Sequence, residues 1–138
     1  MKPKLALVIV LLIFINNCFS QDIKWQETKK WKLYNIQEFA VFNYPLDTLK
    51  NFTSITLDKD LIQTFLTTSV KLPKDEYSVW MGLYFATCEF PEGKVRKIEI
   101  SVFGGFFYDE ITKSYYQLPL KIRNDWIDYI SVNFKKIK

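Results

Sequence analysis

The segment from Tyr77 to Tyr108 constrains the fold more than any other, because it contains two long apolar stretches joined by a short turn sequence. Pro91 restricts φ to the range that a turn requires, and Gly93, two residues later, accepts a positive φ. The alternation of side chains on both sides of this turn is typical of paired strands. The pattern therefore predicts a long β-hairpin at the centre of the fold.

The register of this hairpin follows from the assumed length of its loop. With four loop residues, Phe90 lies opposite Val95, and the apolar side chains of the two strands align on one face. Glu89 then lies opposite Arg96, where we expect an ordinary cross-strand ion pair.

The glycine pair Gly104-Gly105 allows two paths for the chain. A tight reversal there would place Asp109 on the core face, where a carboxylate without a partner loses its hydration at a large energetic cost. We therefore predict that the strand continues through the glycines, bent at a bulge, as far as Tyr108.

The remaining segments predict shorter strands and two helices. Apolar residues at a spacing of three to four predict a helix near Leu61 to Val70, with acidic residues in its first turn, and a C-terminal helix from Leu120 to Phe134. Shorter strands are expected at Trp31–Ile36, at Glu38–Tyr44 and at Tyr115–Leu118.

Together these elements predict an α+β fold, with an antiparallel sheet of four to five strands around the central hairpin and two packing helices. Residues 21–30 are mostly polar, so we expect a loosely held segment there.

The first 20 residues have the layout of a secretory signal peptide, with early lysines, the apolar run Leu5–Ile15 and a short polar end. Cleavage after Ser20 would release a secreted or periplasmic protein of residues 21–138, which form a single domain without a membrane span. Lipid attachment at Cys18 is the alternative, but the preceding residues are not the small ones that usually precede a lipidated cysteine.

Processing also changes the charge of the protein. Loss of Lys2 and Lys4 lowers the formal net charge from +4 to +2, so the composition does not favour nucleic-acid binding. The sequence is rich in aromatic residues, and a small core cannot hide all of the rings. Some rings are therefore expected at the surface, where they commonly anchor binding partners.

The sequence lacks the residue types that many enzymes use for catalysis and for metal binding. It contains no histidine, and only Cys88 remains after processing, so histidine-based catalysis and thiolate metal cages are excluded, and we expect no metal or cofactor. Cys88 is expected to be a small buried hydrophobe. The triplet at Asn51 matches an N-glycosylation site, although such triplets also arise by chance.

Carboxylate chemistry of the glycosidase type remains as an enzymatic possibility, because it needs only two acids in a cleft. Ion pairing and turn formation explain the acids near the hairpin better than catalysis does, so no residue is assigned as catalytic. The candidate acids are Glu89, Glu99, Asp109 and Glu110.

The strongest functional signal is a concentration of aromatic residues around the glycine pair and on the strand that follows. Rings flanked by polar side chains have the composition of a recognition surface. The predicted binding residues are Phe103, Phe106, Tyr108, Asp109, Lys113, Tyr115 and Gln117.

We expect an exported, non-catalytic binding protein, such as an inhibitor or immunity-like protein, with a protein partner in the periplasm or outside the cell. A glycan-binding module or a small carboxylate-dependent glycan hydrolase of the cell wall is the alternative.

Overall fold

The computed structural model describes residues 23–38, 44–73, 83–101 and 105–137. These residues form one antiparallel sheet of seven strands with three α-helices, an α+β fold. The strands are β1 (Lys30–Glu38), β2 (Ser54–Leu57), β3 (Val70–Lys71), β4 (Leu83–Glu89), β5 (Val95–Ser101), β6 (Phe106–Asp109) and β7 (Ser114–Gln117). The α-helices are α1 (Leu46–Leu49), α2 (Lys59–Leu66) and α3 (Leu120–Lys135), and Trp25–Glu27 is a 3-10 helix.

The strands lie side by side in the order β2-β1-β4-β5-β6-β7-β3. The predicted α+β class is confirmed, but the sheet is wider than the expected four to five strands. The two short edge strands, β2 and β3, were missed as strands. The predicted signal peptide with Cys18 lies wholly outside the described residues. Other predictions lie partly outside them, at residues 21–22 of the N-terminal segment, at the start of the hairpin from Tyr77, at strand residues 39–43 and at residues 102–104 of the bent strand.

The central hairpin is present, but its predicted register is wrong by one residue. Glu89 lies opposite Val95, and the amide of Phe90 donates a 2.9 Å hydrogen bond to the carbonyl of Lys94. The loop therefore has three residues and ends with Gly93 at a φ of +72°. Because of this shift Arg96 lies opposite Cys88, and the predicted pairing of Arg96 with Glu89 is wrong.

The chain reverses again near Gly105, so the predicted bent strand is wrong. Strand β6 runs antiparallel to β5, with Phe107 opposite Ile100 and Asp109 opposite Ile98. Gly105 has a φ of +64°, a conformation that glycine adopts without strain. Asp109 does not lack a partner on the core face, because Nη1 of Arg96 lies 3.1 Å from its Oδ2 atom.

Helices α2 and α3 cover one face of the sheet, which we call the helix face. Each helix begins at a residue that favours a helix start. Asp58 caps α2 by accepting a 3.0 Å hydrogen bond from the amide of Leu61, and Pro119 precedes α3. Helix α2 ends before β3, so the predicted helix to Val70 was too long. The helix face buries Trp31, Leu33, Ile62, Leu66, Ala86, Ile98, Ile100, Phe107, Trp126 and Ile130.

The opposite face of the sheet carries a second, smaller core. Tyr34, Ile36, Leu49 and Phe85 are buried there, so α1 and the segment around it cover the part formed by β1 and β4. Among the described helices, none is long and apolar enough to cross a membrane.

The N-terminal residues of the described chain are packed rather than loosely held, which corrects the prediction for residues 21–30 from Ile23 onward. Trp25 is only 4% exposed and lies in the core cluster of the helix face. The side-chain amide of Gln63 donates hydrogen bonds of 3.0 Å and 2.8 Å to the carbonyls of Gln26 and Thr28. These bonds join the segment to α2.

Candidate functional site

Strands β6, β7 and β3 carry aromatic and apolar side chains on the sheet face opposite α2 and α3. Alternate residues of a strand point to the same face, and directly paired residues share a face. Tyr108 is paired with Tyr115, Phe106 with Gln117, and Gln117 with Val70. These five residues therefore lie together, and we call them the aromatic surface.

The centre of the aromatic surface is a pair of tyrosine rings. The ring centroids of Tyr108 and Tyr115 are 4.6 Å apart, with an angle of 37° between the ring planes. Both side chains are half-buried, as are Phe106 and Gln117, whereas Val70 is 63% exposed. Partial burial raises the pKa of Tyr108 above its ordinary value, and the neighbouring Tyr115 and nearby carboxylates add to this effect. Tyr108 therefore carries a neutral hydroxyl at physiological pH.

A buried lysine lies beside the aromatic surface. Lys97 is only 1% exposed, and its Nζ atom lies 3.3 Å from a carboxylate oxygen of Glu99 and 3.3 Å from one of Glu110. It also donates a 2.9 Å hydrogen bond to the carbonyl of Tyr44 and lies over the ring of Phe85. A buried ammonium group requires such partners, so the cluster has a clear structural role.

The same cluster places two carboxylates close together at the surface. Glu99 lies directly opposite Tyr108, so the pair adjoins the aromatic surface. Both carboxylate oxygens lie 3.3 Å from one nitrogen, which keeps them within about twice that distance of each other. Burial raises the pKa of Glu99 above its ordinary value, while Lys97 acts in the opposite direction and Glu110 raises the pKa further. We call Glu99 and Glu110 the carboxylate pair.

The structure brings together four of the seven predicted binding residues, which are Phe106, Tyr108, Tyr115 and Gln117. Lys113 is exposed in the turn between β6 and β7, with a φ of +50°. Phe103 lies outside the described residues.

Asp109, another predicted binding residue, is buried on the helix face and is 0% exposed. Its Oδ2 atom accepts hydrogen bonds from Nη1 of Arg96 at 3.1 Å, from the amide of Thr112 at 2.9 Å and from Oγ1 of Thr112 at 2.5 Å. Asp109 thus stabilises the turn that follows β6 and does not belong to the aromatic surface.

Sequence reasoning missed Val70 and the linkage of Glu99 and Glu110 through Lys97. Val70 was assigned to a helix, and only the short strand β3 brings it beside Gln117. The alternation of Lys97 and Glu99 along one strand was a usable signal, because residues two apart share a face.

Cys88 is fully buried, as predicted, and burial raises the pKa of its thiol to about 12. The thiol is therefore protonated and unreactive at neutral pH. Among the described residues, no group of three or more acidic or cysteine side chains is arranged to hold a metal ion.

No protein-family model matches the sequence, and neither a curated protein nor a solved structure is significantly similar to it.

Proposed function

We propose that the protein is an exported, non-catalytic binding protein that recognises a protein partner through the aromatic surface. The partner is expected in the periplasm or outside the cell, and an inhibitor or immunity-like role fits a small domain of this kind. The observation that carries the proposal is the half-buried tyrosine pair, Tyr108 and Tyr115, on the sheet face opposite the two long helices.

Tyrosine rings suit this role for physical reasons. They present a large apolar area with few rotatable bonds and a polar tip, so binding costs little conformational entropy. Gln117 and the carboxylate pair lie close to the rings and supply polar groups at the margin. An apolar centre with a polar rim is the usual anatomy of a protein interface.

The proposal is tested by comparing capture from an envelope extract, and then affinity for the purified captured protein, between residues 21–138 and the variant Tyr108→Ala/Tyr115→Ala. Central aromatic residues commonly contribute 2 kcal/mol or more to an interface, so we expect the affinity to fall by about thirtyfold or more.

A second variant and a control separate binding from folding. Val70→Asp places a charge at an exposed position of the same surface and should also weaken binding, with little effect on stability. Leu120→Ala/Val132→Ala removes exposed apolar side chains from α3, on the other side of the sheet, and should leave affinity unchanged. Unchanged capture by the tyrosine variant would show that the aromatic surface is not the binding site.

The carboxylate pair favours a second candidate, a cell-wall glycan hydrolase or glycan-binding module. Two acids held close together with unequal environments are the minimum for glycosidic bond cleavage, and the raised pKa of Glu99 suits a general acid. The tyrosine pair beside them offers flat apolar rings for stacking of sugar units.

This candidate is tested by measuring the release of reducing ends from common wall polymers. A hydrolase should lose at least about a hundredfold in turnover on Glu99→Gln or Glu110→Gln. Glu92→Gln, an exposed change in the hairpin loop, is the matched control. If the unaltered protein neither binds nor cleaves these wall polymers, it is neither a glycan hydrolase nor a glycan-binding module of the cell wall.

A further inference from the structure

A pocket of about 410 Å³ lies at the other end of the same sheet face, away from the aromatic surface. Lys30, Lys32 and Tyr34 alternate along β1 and therefore share this face. Helix α1 and the residue after it supply a wall that includes Lys50. The remaining lining residues come from α1, from β4 and from the hairpin, and are Leu46, Asp47, Thr87, Glu89, Gly93 and Val95.

The lining of this pocket carries three lysines and two carboxylates, Asp47 and Glu89, and therefore a formal net charge of +1. Lys50 forms a 2.8 Å ion pair with Asp47. Within the described part of the chain, the side chains of Lys30 and Lys32 form neither an ion pair nor a side-chain hydrogen bond. Glu89 lies directly opposite Lys30 in the sheet. Two ammonium groups outside any ion pair thus lie at the pocket beside this carboxylate, and the third ammonium group, that of Lys50, is paired with Asp47.

The floor of the pocket is polar and fixed in position. The hydroxyl groups of Tyr34 and Thr87 are buried and hydrogen-bonded to each other at 3.1 Å. Such a pair uses one of its two hydroxyl hydrogens internally, so the other can be donated to an acceptor in the pocket.

We propose that this pocket binds a small phosphorylated sugar or polyol, with its phosphate group held by Lys30, Lys32 and Lys50 above the hydroxyl pair. Lysine ammonium groups act as point charges and suit a phosphate dianion, whereas a planar carboxylate is matched better by arginine. The pocket is larger than a phosphate group, and the Glu89 carboxylate at its edge can accept hydrogen bonds from sugar hydroxyls.

The test is isothermal titration of residues 21–138 with glucose 6-phosphate, inorganic phosphate and glucose. We expect saturable binding of glucose 6-phosphate, weaker binding of inorganic phosphate and none of glucose. Lys30→Gln/Lys32→Gln should weaken glucose 6-phosphate binding at least tenfold, because charge-assisted hydrogen bonds contribute about 1.5 kcal/mol or more. Lys121→Gln/Lys135→Gln removes the same charge from α3 and should change affinity by less than about twofold.

Tyr34→Phe provides a second test of the floor, since it removes one hydroxyl and keeps the ring. Its affinity for glucose 6-phosphate should fall severalfold with an unchanged circular dichroism spectrum. Three results would overturn the proposal. They are no saturable binding by the unaltered protein up to about 10 mM, equal weakening by the two lysine double variants, and inorganic phosphate or glucose binding as tightly as glucose 6-phosphate.

Discussion

Gly93 and Gly105 both have a positive φ, but their surroundings differ. A side-chain carbon at Gly93 would meet nothing within 4 Å, whereas one at Gly105 would lie 2.7 Å from Cγ of Arg123. Arg123 is itself held, because its Nε donates a 2.8 Å hydrogen bond to the carbonyl of Leu118. The absence of a side chain at Gly105 thus permits the close approach of α3.

We expect Gly105→Ala to destabilise the protein by about 2 to 4 kcal/mol, the sum of backbone strain and overpacking. Gly93→Ala is the matched control, because it introduces the strain alone and should cost about 1 kcal/mol. Urea unfolding of both variants measures the difference. Equal losses would mean that Arg123 moves aside without cost.

Because the pKa of Glu99 differs between the folded and unfolded states, the stability of the protein should depend on pH. The pKa of Glu99 in the folded protein is raised above the ordinary value of 4.5, chiefly by burial. A carboxyl with a raised pKa favours the folded state most when protonated, so this contribution is present below pH 4.5 and is lost as the pH rises through the folded-state pKa.

We therefore expect Glu99→Gln, which cannot ionise, to gain stability relative to the unaltered protein as the pH is raised from 4 towards neutrality. Unfolding in urea at several pH values measures this trend. A relative loss of stability over that range would show that attraction to Lys97 outweighs the burial of the carboxylate.

At the scale of the elements, an ion pair joins the ends of two hairpins. Arg96 of β5 meets the buried carboxylate of Asp109 at the end of β6, and its guanidinium also lies 4.9 Å from the centre of the Phe90 ring. The pair therefore connects the β4–β5 loop to the turn after β6.

Arg96→Leu should cost about 3 to 5 kcal/mol, because it leaves the Asp109 carboxylate buried without its cation. Adding Asp109→Asn removes that charge, so the double variant should be more stable than Arg96→Leu alone. Thermal and urea unfolding of both variants measure the recovery. A double variant that is less stable still would mean that the hydrogen bonds to Thr112 dominate.

The central hairpin and the C-terminal helix could be predicted because local signals determine them. Pro91 and Gly93 indicate the turn, and the apolar spacing of residues 120–134 indicates the helix. The register of the hairpin could not be predicted from these local signals, because it depends on whether the loop has three or four residues. The second reversal was rejected because the partner of Asp109, Arg96, is 13 residues away in sequence.

The candidate site was predictable to a similar extent. Strand alternation placed Phe106, Tyr108, Tyr115 and Gln117 on one face once β6 and β7 were paired. Asp109 was grouped with them only because it is adjacent in sequence, and alternation places it on the opposite face. Val70 and Lys50 come from distant segments, so no local pattern could have connected them to either surface.

At the scale of the whole molecule, Trp25 connects strands that are not neighbours. Its ring lies 6.2 Å from that of Trp31 in β1, 5.3 Å from Phe107 in β6 and 5.4 Å from Tyr116 in β7. Strands β4 and β5 separate β1 from β6 in the sheet. The polar N-terminal segment therefore closes the core of the helix face.

We expect Trp25→Ala to reduce the free energy of unfolding by about 3 to 5 kcal/mol, the usual cost of removing a large buried aromatic side chain. Gln26→Ala, a change at the exposed neighbouring side chain, should alter it by less than about 0.5 kcal/mol. Guanidinium unfolding monitored by circular dichroism compares the two. A small effect of Trp25→Ala would mean that the sheet and helices hold the core without the N-terminal segment.

In the described residues, the sheet ends in strands of four and two residues, β2 and β3. These short edge strands offer few backbone N–H and C=O groups with which a strand from another molecule could pair. Polymerisation by edge-to-edge addition is thereby discouraged, which suits a protein that offers aromatic side chains to its surroundings.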